Sequence, residues 1–102
     1  MSKKQLILNL LGLAMRARKV VLGTDFVIKE AAKHPGSVLF LASDAGDNVR
    51  KKIEDKSKVY HMTVIKDFNT LELSNAIGKE NRVVVLVIDK GFCRRFLEYV
   101  NS

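Results

Sequence analysis

Two aspartates stand where an enzyme could hold a cation. Asp44 and Asp47 follow the apolar run Val38–Leu41 and precede a predicted helix. Open α/β sheets often bind ligands at such a place, and carboxylates there could hold Mg²⁺. The same residues are good helix caps and turn formers. A phospho-acceptor domain would also want further acids at the end of an earlier strand, and the strand 20–22 is flanked by Arg16, Arg18 and Lys19 and by Gly23-Thr24-Asp25. We interpret both as capping residues, with a small Mg²⁺-dependent or nucleotide-binding enzyme as an alternative.

Three other reactive side chains lack partners in the sequence. His34 stands in a turn before Pro35, and His61 stands at the start of a predicted strand. Cys93 is the sole cysteine, so a disulfide within the chain, a redox pair and a cysteine-based metal site are excluded. We interpret Cys93 as a small buried hydrophobe. Since neither glycine-rich phosphate-loop pattern occurs, the sequence predicts no catalytic residue, no metal site and no cofactor.

The charge of the chain indicates a partner that carries phosphate. Eighteen Lys and Arg residues against eleven Asp and Glu give 102 residues a net charge of +7. Such an excess favours nucleic acid or an anionic membrane face, and nucleic acid is the stronger of the two. The first 34 positions hold only Asp25 and Glu30 as acids, against the basic residues Lys3, Lys4, Arg16, Arg18, Lys19, Lys29 and Lys33.

The start of the predicted second helix is the first candidate contact. Gly23 and Thr24 would expose backbone N–H groups at the positive end of the helix, where phosphate can dock. Lys29 and Lys33 are four residues apart, so the helical spacing places them on one face.

The polar connection 78–82 is the second candidate contact. RNA sequence is usually read at loops and bulges whose bases are unstacked, and a polar loop can approach such bases. The residues predicted to do so are Lys79, Glu80, Asn81 and Arg82.

Nine elements are expected to position these residues. Helical spacing of apolar residues predicts five helices. The second is capped by Thr24 or Asp25 and runs to about residue 33. The others cover residues 3–17, 47–56, 69–78 and 90–101. Apolar, largely β-branched runs predict strands over 20–22, 37–42, 59–65 and 82–89, the last of them central. Two-sided apolar strands alternating with helices predict a three-layer α/β/α sandwich with a four-stranded mixed sheet and about five helices, in one domain of residues 1–102. The apolar side of the second helix is expected to hold Phe26, Val27, Ile28, Ala31 and Ala32.

Several segments together resemble a known family. They are GLAMRARKVVLG at Gly12–Gly23, Val27-x-Lys29, LASDA at Leu41–Ala45 and LSNAIGKE at Leu73–Glu80. Over nearly the whole chain they resemble the bacterial YlxQ-type branch of the kink-turn-binding ribosomal-protein family, which has the L-seven-Ae and L-thirty-e-like fold. The resemblance implies an α/β/α sandwich that recognises a kink turn or a similar RNA internal loop. It also implies that the RNA is contacted by the start of the second helix and by the loop before the last strand.

The family's RNA-facing pattern, Gly-Thr-Asn-Glu-x-x-Lys, falls on residues 23–29. Gly23, Thr24 and Lys29 match it, while Asp25 replaces the Asn and Phe26 replaces the Glu that contact the sheared G·A bases of the kink. Asp can accept but not donate a hydrogen bond, and Phe can only stack or be buried. The family's second loop corresponds to residues 79–82.

The predicted function is recognition of structured RNA without catalysis, in association with ribosomal RNA. We expect a monomer, and the lone cysteine favours the reducing cytoplasm. No membrane partner is expected, because the chain has neither a signal peptide nor a membrane-spanning segment. The alternative is a protein–protein interaction module whose basic surface is incidental. Loss of binding at high salt would favour the RNA-binding hypothesis.

Overall fold

The computed structural model describes residues 1–102, along which five helices alternate with four strands. The helices are α1 (Lys3–Arg16), α2 (Thr24–Ala31), α3 (Asp47–Val59), α4 (Thr70–Ile77) and α5 (Lys90–Asn101). The strands are β1 (Val20–Leu22), β2 (Val38–Leu41), β3 (Thr63–Ile65) and β4 (Val84–Val87). This is the predicted order of elements. None of the helices is long and apolar enough to cross a membrane.

The four strands form one mixed sheet in the order β1-β4-β2-β3. β4 runs antiparallel to both of its neighbours, whereas β2 and β3 are parallel. Val85 of β4 lies opposite Leu22 on one side and opposite Phe40 on the other. The prediction that this strand is central is therefore confirmed.

Helices cover both faces of the sheet. α1 packs against α4 and α5 in one layer, and α2 packs against α3 in the other. Every residue of β2 and β4 is buried, as expected for strands covered on both sides. One cluster of 22 buried residues forms the core. In it, the centroid of the Phe40 ring lies 6.2 Å from that of Phe68 and 5.1 Å from that of Phe96. The predicted three-layer α/β/α sandwich is confirmed.

The two helices α1 and α4 approach each other closely at Gly12. A Cβ atom on this residue would lie 2.9 Å from the carbonyl oxygen of Ala76. A glycine inside a helix weakens that helix, and the close approach of the α4 backbone explains why one is present here.

Three helices end in the same left-handed turn, in which two backbone N–H groups bond back to the last carbonyls. The left-handed residues are Arg18 (φ 59°) after α1, His61 (φ 55°) after α3 and Gly78 (φ 68°) after α4. The next residue donates in each turn: Lys19 N–H to Ala14 O at 2.9 Å, Met62 N–H to Ser57 O at 2.8 Å and Lys79 N–H to Ser74 O at 2.9 Å.

The structure corrects the bounds of four predicted elements by two or more residues. α3 continues to Val59, so β3 begins at Thr63 and not at residue 59. α2 ends at Ala31, two residues earlier than expected. β4 begins at Val84 and not at residue 82, because the backbone N–H of Arg82 bonds to a serine side chain instead of a neighbouring strand.

Candidate nucleic-acid interface

The two segments selected from the sequence meet at one edge of the sheet, by which we mean the side where the strands begin or end. β1, β2 and β3 run in the same direction and end at this edge, while the antiparallel β4 begins there. Leu22, the last residue of β1, pairs with Val85 near the start of β4. The start of α2 and the loop 78–82 are therefore neighbours. We call the side that carries residues 23–29 and 78–82 the loop edge.

α2 begins at the loop edge with a backbone conformation that favours glycine. Gly23 is its N-cap, with φ 88° and ψ 130°, where a residue with a Cβ atom would be strained. No side chain caps this helix. The prediction that Thr24 or Asp25 is the cap is wrong, because both lie inside the helix. The first N–H groups of α2 thus lack a side-chain acceptor and can bind an anion.

The exposed side chains of α2 differ from the prediction in one important respect. Val27 is buried. Because each helical residue is rotated by about 100° from the one before it, the neighbouring Phe26 does not face the core. Phe26 is 68% exposed, and Ala32 is exposed as well. The expectation that these two residues face the core is wrong. With Asp25 and Lys29, which are also exposed, the Phe26 ring offers a surface on which a base can stack.

Lys33 lies away from the other predicted site residues. The helix has ended at Ala31, and the Lys33 N–H bonds to the carbonyl of Glu30 at 2.9 Å in a tighter turn. The prediction that Lys33 shares a helix face with Lys29 is therefore wrong. Its ammonium lies 3.4 Å from the Glu30 carboxylate. Lys33 lies beyond the last residue of α2, at the end of the helix opposite to Gly23.

The loop 78–82 is polar and tightly turned. Gly78 and Asn81 both adopt left-handed conformations, with φ 68° and 55°. Lys79, Glu80 and Asn81 are exposed, and no ion pair engages the charges of Lys79 or Glu80. Their polar groups are free to contact a ligand.

Arg82 ends this loop in an unusual environment. Its backbone N–H donates to the hydroxyl of buried Ser74 at 2.9 Å, which attaches the loop to α4. The Arg82 side chain is half-buried, and its buried Nε has no hydrogen-bond partner. Buried polar groups without partners are uncommon, and this Nε is covered by the protein itself.

The charges of the loop edge suit both phosphates and bases. Lys29, Lys79 and Arg82 have no carboxylate partner, and the carboxylates of Asp25 and Glu80 have no cation. Unpaired cations attract the RNA backbone, while unpaired carboxylates can accept hydrogen bonds from base amino groups.

The part of α4 that faces the loop was not predicted from the sequence. Leu71, 67% exposed, and Asn75 line a depression of about 330 Å³ together with Thr70 and the loop residues 79–81. A signal was present, because Leu71 lies off the buried stripe formed by Leu73 and Ile77, which are four residues apart. Single exposed apolar residues are common on protein surfaces, so the depression beside the loop, and not Leu71 alone, makes this part of α4 a candidate contact.

The two aspartates considered for a cation serve the structure instead. The Asp44 carboxylate accepts hydrogen bonds from the hydroxyl and the N–H of Thr70, at 2.7 and 2.9 Å. These bonds, the hydroxyl first, hold the pKa of Asp44 below its ordinary value. Gly46 is the N-cap of α3, so the prediction that Asp44 and Asp47 cap that helix is wrong. Asp44 holds the start of α4, and Asp47 lies in the first turn of α3, 3.4 Å from Arg50.

The histidines and the cysteine also have structural surroundings. His61 lies in the turn after α3 and not at a strand start, while His34 lies in the turn after α2. Cys93 is buried on α5, where its thiol donates to the carbonyl of Val87 at 3.3 Å. Burial raises the pKa of this thiol, and the interpretation as a small buried residue is confirmed. No group of three or more His, Cys, Asp or Glu side chains is placed to hold a metal ion.

The amino-acid sequence is similar to named bacterial proteins. Residues 5–97 match the profile of the ribosomal protein L7Ae/L30e/S12e/Gadd45 family. The RNA-binding protein YlxQ of Bacillus subtilis (strain 168) is 44% identical over 92 residues, covering 90% of this chain and 92% of the relative. The RNA-binding protein YlxQ of Enterococcus faecium is 35% identical over 99 residues, covering 97% and 95%.

Two solved structures have the same fold. A protein of unknown function from Bacillus halodurans C superposes with a TM-score of 0.87 at 38% identity, over 94% of this chain and 97% of that chain. The Giardia lamblia 15.5kD RNA binding protein superposes with a TM-score of 0.80 at 14% identity, over 99% and 88%. At that low identity the second similarity concerns the fold alone.

Proposed function

This chain belongs to the ribosomal protein L7Ae/L30e/S12e/Gadd45 family, and from that premise we propose that it binds structured RNA containing a kink turn or a similar internal loop. Its identification from the sequence as a YlxQ-type member is confirmed by the two relatives of that name. The chain is not an enzyme, in keeping with relatives that are named as RNA-binding proteins.

The observation that carries the proposal is the convergence of two segments at the loop edge. The pairing of Leu22 with Val85 places the start of α2 beside the loop 78–82. The free N–H groups of α2 and the Lys29 ammonium hold phosphate, which positions the RNA without reading its sequence. The side chains of residues 79–82 approach the unstacked bases of the internal loop.

The residues at positions 25 and 26 define which base contacts are available. Asp25 accepts a hydrogen bond from an exposed base amino group, because an ionised carboxylate has only acceptors. Phe26 stacks on an unpaired base through its exposed ring, a contact worth about 1–3 kcal/mol in single-stranded complexes. The RNA therefore has an unstacked base next to the kink.

The same proposal extends to the setting of the protein. A single 102-residue domain with a net charge of +7 associates with ribosomal RNA as a monomer in the cytoplasm. The family membership and the net charge support association with RNA, since a basic protein attracts a polyanion.

Binding to two RNAs tests the proposal. A kink-turn RNA and a plain duplex of equal length are titrated at two salt concentrations with the parent protein and with Lys29→Ala and Arg82→Ala. We expect preference for the kink turn, and about tenfold weaker kink-turn binding in each variant, equal to about 1.4 kcal/mol. Lys58→Ala is the control, since this exposed lysine at the end of α3 has no ion pair and lies outside the loop edge.

The other outcomes are distinct. Equal and strongly salt-dependent binding of both RNAs would leave a basic protein without kink-turn specificity. Absence of binding at low salt would overturn RNA recognition and favour an interaction module whose partner is a protein.

A further inference from the structure

A groove lies at the edge of the sheet opposite the loop edge. Its volume is about 810 Å³, and its walls are the turn before β2, the end of β4 and one face of α5. This volume is within the range of about 300–1,000 Å³ that is usual for ligand sites. Because β4 ends where β1 and β2 begin, a strand length separates the groove from the loop edge. Of the predicted RNA contacts, the groove contains only Lys33.

The groove combines apolar walls with a cationic rim. Ile88, Leu97 and Pro35 line it, and Cys93, only 7% exposed, lies beneath them. Lys33, Lys90 and Arg94 are exposed along the same groove, where Glu98 is the one carboxylate among the lining residues. Lys33 is paired with Glu30 at 3.4 Å, so Lys90 and Arg94 are the unpaired cations of the rim.

The rim has an orderly arrangement on α5. Lys90 and Arg94 are four residues apart, so they lie on one face of the helix, one turn after the other. Neither forms an ion pair. A ligand that lies along α5 with two negative charges about 5–6 Å apart would meet both cations.

The walls distinguish between two kinds of anionic ligand. Single-stranded nucleic acid gains affinity from aromatic side chains on which its bases stack, and no Phe, Tyr or Trp lines this groove. Its one aromatic ring is the imidazole of His34, which lies 3.7 Å from the Glu30 carboxylate. Aliphatic walls instead suit an apolar side chain, as in complexes where a peptide inserts anchor residues into a groove.

We propose that this groove docks an acidic segment of a partner protein. The segment places one apolar side chain against Ile88 and Leu97 and aligns its carboxylates with Lys90 and Arg94. The carboxylates of the segment complement the excess positive charge of the rim. RNA at the loop edge leaves the groove open, so the chain can connect a structured RNA to an acidic protein.

The test uses a short fluorescein-labelled peptide of Glu and Asp residues around one central Leu. Fluorescence anisotropy gives its affinity, and the amide NMR signals of Gly36, Ser37 and Ile88 report whether it occupies the groove. We expect Arg94→Glu to weaken binding at least about tenfold. The control is Arg95→Glu, the same charge reversal on the neighbouring exposed residue of α5, which does not line the groove. It should leave the affinity within about twofold.

Four results would overturn the proposal. The first two are unchanged amide signals at high peptide concentration and equal weakening of binding by Arg95→Glu. The third is a short oligouridine that competes with the peptide for the groove. The fourth is equal affinity for a peptide with Ser in place of the central Leu, since the apolar anchor is part of the proposal. No RNA is needed for the peptide measurement, so its result and that of the kink-turn titration are independent.

Discussion

The Asp44 carboxylate is exposed and yet has fixed partners, since it accepts both hydrogen bonds from Thr70. The pKa of Asp44 is lowered in the folded state, first by the Thr70 hydroxyl and then by the Thr70 N–H. The ionised form therefore stabilises the fold above the pKa of the unfolded chain. This contribution disappears as the pH falls through the lower pKa of the folded state.

We predict that Thr70→Val raises the pKa of Asp44 part of the way to its ordinary value. The substitution removes the hydroxyl donor and leaves the backbone N–H. An NMR pH titration of the side-chain carboxyl carbon measures the change, with Thr24→Val as a control that removes a hydroxyl elsewhere. An unchanged midpoint in Thr70→Val would show that the hydroxyl bond does not stabilise the carboxylate.

For single residues, the sequence indicated which positions match a family pattern, but not how exposed or how well hydrogen-bonded each side chain is. The match of Gly23, Thr24 and Lys29 to the family pattern identified the first segment of the candidate site. The exposure of Phe26 and the unpartnered Nε of Arg82 were not predictable. Both depend on how α2 and the loop 78–82 pack against other elements, and local periodicity carries no information about that packing.

Among the elements, α1 and α4 are in close contact at Gly12. We predict that Gly12→Ala lowers the free energy of unfolding by about 1 kcal/mol, although alanine is the better helix former. The new Cβ would lie 2.9 Å from the carbonyl oxygen of Ala76. Overpacking costs about 1–3 kcal/mol, and the gain in helix propensity is at most about 1 kcal/mol.

Urea unfolding measures this change. Asn9→Ala is the control, because it improves helix propensity at an exposed position of the same helix. A Gly12→Ala variant as stable as Asn9→Ala would mean that α4 shifts without cost.

The elements themselves were largely predictable, and their ends were not. Unbroken apolar runs identified β2 and β4, because strands buried on both faces need no alternation. The late start of β3 was missed because His61 takes the left-handed position that ends α3. Glycine usually marks that position in a sequence, as Gly78 does after α4, and a histidine gives no comparable signal.

For the whole molecule, the order of the strands determines which part of the sheet unfolds last. β4 and β2 are interior strands with every residue buried, whereas β1 and β3 are edge strands of three residues. We predict that the amides of Val84–Val87 exchange with solvent only through global unfolding. The amides of β3 should exchange through smaller openings, since cooperative units with fewer buried contacts open at lower free energy.

Native-state hydrogen exchange at increasing urea concentration tests this expectation. The exchange free energies of β4 should fall with the full slope of global unfolding, and those of β3 with a smaller slope. Equal slopes in both strands would show that the domain opens as one unit.

Also at the scale of the molecule, the fold was predictable and the groove was not. Alternating elements and a family resemblance sufficed for a sandwich that a protein of only 14% identity shares at a TM-score of 0.80. The groove at the far end of the sheet joins residues 33–37 with residues 88–101. Such a surface exists only after the chain has folded, because no motif spans its parts.

The hydrogen bond from Arg82 to Ser74 has a consequence for the thermodynamics and kinetics of association. It attaches the loop at one end, and the left-handed turn at Gly78 attaches it at the other. A disordered loop would lose about 1–2 kcal/mol of backbone entropy for each residue that a ligand immobilises. This loop is organised before the ligand arrives, so little of that entropy remains to be lost. The loop contributes to affinity through its preorganisation, and the association rate is not limited by folding of the loop.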